Sequence, residues 1–160
     1  MKTLFVGIGE IGISNSPDVL IKTMALGSCV GIMLYSPRRK LAALVHVALP
    51  ESKINPQLAI EREGYFADTA IKNVLTKLSA YGCIPSELTI KIAGGANIMD
   101  PNQRFDIGTR NVMAVKKNLW HYKLGAISED VGGTVGRTAS IYVETGLVLL
   151  SSPSLGEWEL

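Results

Sequence analysis

Two apolar stretches, Val30 to Tyr35 and Leu41 to Val47, stand almost end to end, interrupted only by Ser36-Pro37-Arg38-Arg39-Lys40 and by one imidazole, His46. A five-residue connection between strand-like runs is that of a β-hairpin, so the chain is expected to build an antiparallel pair here. Setting Tyr35 opposite Leu41 places Val30 opposite His46 and Cys29 opposite Val47. Residues directly or diagonally opposite in such a ladder lie within roughly 4.5–8 Å of each other. Cys29 and His46 are therefore expected to be neighbours.

Further strand-like runs are Thr3 to Ile8, Val19 to Met24, Leu88 to Ala93, Ala139 to Val143 and Leu147 to Leu150, most of them bounded by Gly, Pro, Ser or Asn. Two segments have helical spacing instead. Ala67, Ile71, Val74 and Leu78 form one apolar stripe, stopped by Gly82 and Pro85; Val112, Val115, Leu119 and Tyr122 form the other, with Asp106 or Thr109 to cap its start and Gly125 to end it. A chain of 160 residues fits one domain, read as 1–150, with 151–160 as a loosely attached tail. The expected fold class is α/β: a layered sandwich of mostly antiparallel strands with two main helices.

Sixteen Lys+Arg against 14 Asp+Glu leave a net charge of +2, and the basic residues are scattered, so no nucleic-acid footprint is visible. The first residues reach Gly and Glu before any signal-peptide core or apolar span of about 20 residues can form. A cytoplasmic protein without membrane insertion is expected. Cys29 and Cys83 are too few for a disulfide framework and lack zinc-ligand spacing, and the thiol chemistry described below needs neither metal nor organic cofactor. Gly132-Gly133-Thr134-Val135-Gly136 precedes a strand instead of opening a helix, which argues against nucleotide binding. Cys83 reads as a structural thiol and Arg137 as a solvated turn charge.

Cys29 ends the turn Leu26-Gly27-Ser28-Cys29, where a thiol can face a cleft, and His46 is the one polar residue in its strand. A cysteine nucleophile needs a base within reach and a third group to orient that base. Cys29 and His46 fit the first two roles, and Thr23, on the preceding strand, fits the third by fixing the imidazole tautomer. The main-chain N–H groups around Gly27 and Ser28 are candidate oxyanion donors. On this reading Cys29 is expected to be an accessible thiol of low pKa.

The stretch Thr23-Met24-Ala25-Leu26-Gly27-Ser28-Cys29-Val30, followed by His46-Val47-Ala48-Leu49-Pro50, resembles the CheD family of chemoreceptor glutamine deamidases. Tyr65 to Ala70, Lys91 to Ala96, Ile107 to Asn111 and Glu129 to Gly133 extend the likeness over about residues 3–150; Ala48 departs from it, standing where a larger residue is usual. The resemblance implies a fold similar to the catalytic domain of cytotoxic necrotising factor toxins. It also implies catalytic roles for Cys29, His46 and Thr23, and glutamines of methyl-accepting chemotaxis receptors as substrate, with methylesterase activity in some members. A CheC-type phosphatase of phosphorylated CheY is the implied partner. Two alternatives stand beside it: a non-catalytic binding module regulating such a phosphatase or receptor, and a cysteine amidase or peptidase acting outside chemotaxis.

Overall fold

The computed structural model describes residues 1–98 and 105–160. Its centre is the hairpin: β4 (Val30–Ser36) and β5 (Leu41–Val47) are buried along their whole length. The antiparallel ladder runs from Ser36 opposite Leu41 to Val30 opposite Val47. The expected register is therefore off by one, because Ser36 belongs to the strand and the turn is confined to residues 37–40, with Lys40 at φ 49.

That slip changes which face each side chain takes. Gly31, not Val30, lies opposite His46. Continued past Val30, the pairing puts Cys29 diagonal to His46 on the same face, where the expected register would have sent them to opposite faces.

Around the hairpin, β2 (Ile11–Ser14) pairs with β5, and β6 (Thr89–Gly94) pairs with β4, both antiparallel; β7 (Ser128–Val131) lies parallel to β6. This gives one five-stranded sheet of order β2-β5-β4-β6-β7. The second sheet has the order β1-β3-β8-β9-β10, from β1 (Lys2–Phe5), β3 (Val19–Leu26), β8 (Arg137–Tyr142), β9 (Val148–Ser152) and β10 (Gly156–Glu159). Its pairings are antiparallel except β1 with β3. Three helices follow β5 in chain order: α1 (Pro56–Glu61), α2 (Ala67–Ser79) and α3 (Ile107–His121).

Alternation along the central strands divides the core in two. Val30, Ile32, Leu34, Ala43, Val45 and Val47 face α2 and α3, meeting Ala70, Ile71, Val74, Val115 and Leu119. Met33, Tyr35, Ala42 and Leu44 face the other sheet, meeting Ile21, Leu26, Ala139, Ile141 and Leu150. The layers are thus helices, sheet, sheet, a mixed α/β sandwich as expected. Both anticipated helices are present, and among the described residues no helix is long and apolar enough to cross a membrane.

The C-terminal residues are not a loose tail. β10 pairs with β9, the Trp158 indole N–H donates to Asp130 at 2.8 Å, and Lys91 donates to the Leu160 carbonyl. Asp130 also pairs with Arg137 at 3.1 Å. Arg137 is correspondingly not a solvated turn charge: it is buried and donates to the carbonyls of Gly94 at 3.2 Å and Gly132 at 2.8 Å.

α3 approaches the segment after β6 so closely that a Cβ on Gly108 would sit 2.5 Å from the Gly95 carbonyl oxygen and 2.6 Å from that of Ala96. In a helix interior, Gly→Ala ordinarily gains up to about 1 kcal/mol. Here the backbone collision dominates, and Gly108→Ala is expected to destabilise by roughly 1–3 kcal/mol. Urea unfolding measures this, and a raised midpoint at unchanged slope would refute it.

Candidate active site

Thr23 and His46 meet where the two sheets face each other, and Cys29 packs against the same inter-sheet cluster. His46 projects from β5 into the inter-sheet layer and is 1% exposed; Thr23 projects from β3 in the opposite sheet and is fully buried. A β-bulge makes this possible. The β3–β8 register shifts between Thr23 and Leu26, with Ala25 at φ 60 and Met24 exposed. In a regular strand, positions 23 and 26 would point to opposite faces. The extra residue lets both turn inward, Thr23 onto His46 and Leu26 into the core just before the Gly27-Ser28-Cys29 turn.

The hydrogen-bond pattern fixes the tautomer of His46. The Thr23 hydroxyl donates its one hydrogen to the Val6 carbonyl at 2.6 Å, so at its 2.6 Å contact with His46 Nδ1 it accepts. Nδ1 therefore carries the proton and Nε2 holds a lone pair. Nε2 is buried and has no hydrogen-bond partner among the described residues, an arrangement that costs free energy in a resting protein unless something is to be bound there. The backbone of His46 is held as well: its N–H donates to the Glu10 carbonyl at 3.2 Å, and its carbonyl accepts from Gly9 at 2.8 Å.

Cys29 sits just before β4, partly buried, packed against the same inter-sheet cluster. Its turn is anchored through its carbonyls. Gly27 accepts from Ala96 N–H at 2.8 Å, Cys29 from Gly95 N–H at 2.8 Å, and Ser28 from the Asn111 amide at 2.8 Å. The N–H groups of Ser28 and Cys29 meet no acceptor among the described residues. The supporting residues 95–97 are tied in turn to the loop after β7, with Asn97 N–H donating to Gly133 at 2.9 Å and Gly132 N–H to Gly94 at 2.9 Å. The two loops at 93–97 and 130–136 thus form one continuous support beside the Cys29 turn.

Gly31, opposite His46 in the ladder, leaves room on this face: a Cβ there would come within 3.1 Å of Leu26. The structure joins Thr23 to His46 by a hydrogen bond and the ladder, continued past Val30, puts Cys29 on the face of His46; sequence reasoning passed over Asn111 and the bulge.

Electrostatics differ from the expected pre-ionised thiol. Burial pushes the Cys29 thiol up and the His46 imidazole down, to about 4. At neutral pH Cys29 is a thiol and His46 a neutral imidazole, its Nε2 in the proton-accepting form. Cys83 differs again: buried on the helix side of the core, its thiol is pushed up to about 12, chiefly by burial and secondarily by Glu87. Iodoacetamide is therefore expected to label Cys29 in preference to Cys83, with a rate that climbs beyond pH 9 and shows no plateau near neutrality. A plateau below pH 7 would show a resting thiolate and overturn this assignment. Among the described residues no cluster of three or more His, Cys, Asp or Glu could hold a metal ion.

Fold and site together describe a two-sheet α/β sandwich that brings a thiol and a tautomer-fixed imidazole onto one face at the sheet junction. The chain belongs to the CheD family: the family model described as "CheD chemotactic sensory transduction" matches residues 48–152. A protein of Syntrophotalea carbinolica named "Probable chemoreceptor glutamine deamidase CheD" is 45% identical over the whole of both chains. The "Chemoreceptor glutamine deamidase CheD" of Bacillus velezensis is 39% identical over 95% of this chain and 92% of its own. Among solved structures, Neisseria meningitidis protein NMB0706, of family-model DUF152, matches with a TM-score of 0.54 at 10% identity, covering 88% of this chain and 74% of that one. That likeness concerns the fold alone.

Proposed function

We propose that this chain deamidates glutamine side chains of chemotaxis receptors, with Cys29 as nucleophile, His46 as general base and acid, and Thr23 as the group that orients the ring. The names of the full-length relatives support the reaction class. The observation that carries the residue assignment is the Thr23–His46 hydrogen bond, which leaves Nε2 as the free base on the face shared with Cys29.

In this mechanism Nε2 accepts the thiol proton as the sulfur attacks the carboxamide carbon. The oxyanion is held by main-chain N–H groups of the Gly27-Ser28-Cys29 turn. The same nitrogen returns the proton to the departing ammonia, leaving a thioester. A water activated at Nε2 then hydrolyses it, giving glutamate and regenerating the Cys29 thiol. A glutamate methyl ester would pass through the same thioester with methanol as leaving group, so receptor methylesterase activity belongs to the reading. So do a cytoplasmic site of action, a CheC-type phosphatase as partner, and a single deamidase domain. The likeness to the catalytic domain of cytotoxic necrotising factor toxins rests on sequence resemblance. Because a substrate glutamine would lie on a receptor helix, loops 93–97 and 130–136 are suited to form the walls of a shallow groove admitting one side chain.

The deciding experiment is a mass-spectrometric time course of the wild-type chain with a chemoreceptor cytoplasmic fragment. The expected result is glutamine-to-glutamate conversion at specific positions. Stable binding of the fragment without conversion of any glutamine would overturn the catalytic reading in favour of a binding module.

A further inference from the structure

The β4–β5 ladder ends at Val30 opposite Val47, one residue before Cys29. Beyond that rung the ladder does not continue to Cys29. Among the described residues, one side chain bridges the two segments there. Asn111, fully buried on α3, donates its amide N–H groups to the Ser28 carbonyl at 2.8 Å and the Ala48 carbonyl at 2.9 Å. Both acceptors are carbonyls, so the orientation of the amide is fixed with nitrogen toward them. Its oxygen, Oδ1, is buried without a hydrogen-bond partner among the described residues.

An unpartnered buried amide oxygen costs roughly 1–3 kcal/mol, and an apolar side chain of similar volume would avoid that cost. The asparagine is therefore poorly explained by core stability alone. Its two N–H groups do what an apolar residue cannot, bridging the chain next to Cys29 and the chain two residues past His46.

We propose that Asn111 is a positioning residue for the reaction, setting the separation and angle between the Cys29 thiol and His46 Nε2 by clamping Ser28 to Ala48. This inference rests on the deamidase reading above. Because it acts on geometry and not on substrate, loss of the clamp lowers kcat while KM stays near its wild-type value. A misplacement of about 1 Å between reacting groups costs on the order of 100-fold in rate.

Two variants test it, each assayed for glutamine conversion on the chemoreceptor fragment and for cooperative thermal unfolding. Asn111→Ala is expected to fold with a lower midpoint and to lose on the order of 100-fold in kcat well below that midpoint. Asn111→Asp keeps the shape but aims an ionisable acceptor at two carbonyl oxygens. Protonated, it donates one hydrogen bond; ionised, it repels both carbonyls. Its activity relative to wild type is therefore expected to rise as pH falls from 8 toward 5.5, whereas a purely packing role leaves that ratio unchanged. Near wild-type kcat in folded Asn111→Ala, or a ratio for Asn111→Asp that does not change with pH, overturns the proposal, as does failure of both variants to fold. Absence of conversion by the wild type would instead refute the deamidase reading itself, so the two failures are distinguishable.

Discussion

Cys29→Ala is expected to convert no glutamine at all on a chemoreceptor fragment that the wild type deamidates, and His46→Ala to lose roughly 10²–10⁴-fold. The asymmetry follows from the chemistry. Without sulfur there is no atom to form the thioester, whereas without the imidazole the thiol can still ionise slowly against its raised pKa. Neither variant should unfold the chain. Cys29 is only partly buried, and removal of His46 also removes a buried nitrogen that has no partner among the described residues, although the Thr23 hydroxyl then loses one contact. Affinity for the fragment should persist in both. Unchanged conversion by Cys29→Ala would refute the nucleophile assignment directly. A Cys29→Ala chain that still carried out its cellular task would favour the regulatory binding module.

The second large effect is expected at Thr23→Val, which keeps the shape and removes the hydroxyl. Two groups lose their partners at once, the Val6 carbonyl and His46 Nδ1–H. The ring is then free to carry its proton on Nε2, the wrong nitrogen for a base facing Cys29. A fall of roughly 10²–10³-fold in kcat is expected, smaller than where a carboxylate orients the ring, because a hydroxyl stabilises the developing imidazolium less. Thr23→Ser, which retains the oxygen, should recover most of the loss. Turnover of Thr23→Val equal to wild type would show that the sheet junction alone aligns the imidazole.

The sequence makes legible what depends on local pattern. The stripes over Ala67 to Leu78 and Val112 to Tyr122 announce α2 and α3, and the two apolar runs around Pro37 announce the hairpin. What is less legible depends on distant partners. β1, anticipated as Thr3 to Ile8, pairs parallel to β3, and β7 parallel to β6, and neither short edge strand carries an alternation that distinguishes it from a loop. β10 is held by pairing with β9 and by Trp158 on Asp130, contacts invisible in a Ser-, Pro- and Gly-rich terminus. α3 ends earlier than Gly125 suggests, because Lys123 takes the left-handed conformation at φ 60.

The site divides the same way. Cys29, His46 and Thr23 stand out because polar groups in apolar runs require partners, but the one-residue register error shows how fragile hairpin counting is: it would have put the thiol and the imidazole on opposite faces. The bulge at Ala25 has no glycine to mark it. Asn111 looks like an ordinary helix residue until the carbonyls it holds are seen. The family model matches residues 48–152, so it covers Asn111 and the loop that supports the Cys29 turn but none of Thr23, Cys29 and His46.

In the proposed mechanism the base and the residue that orients it belong to different sheets, His46 to the one covered by helices and Thr23 to the one behind it. On that mechanism catalytic competence is a property of the seam between two layers, and neither layer alone contains it. A partly unfolded chain whose strands and helices persist but whose sheets have separated would retain its circular dichroism while its turnover disappeared. Turnover followed alongside far-ultraviolet dichroism during denaturation would thus report on the docking of the two sheets, which spectroscopy of the backbone passes over.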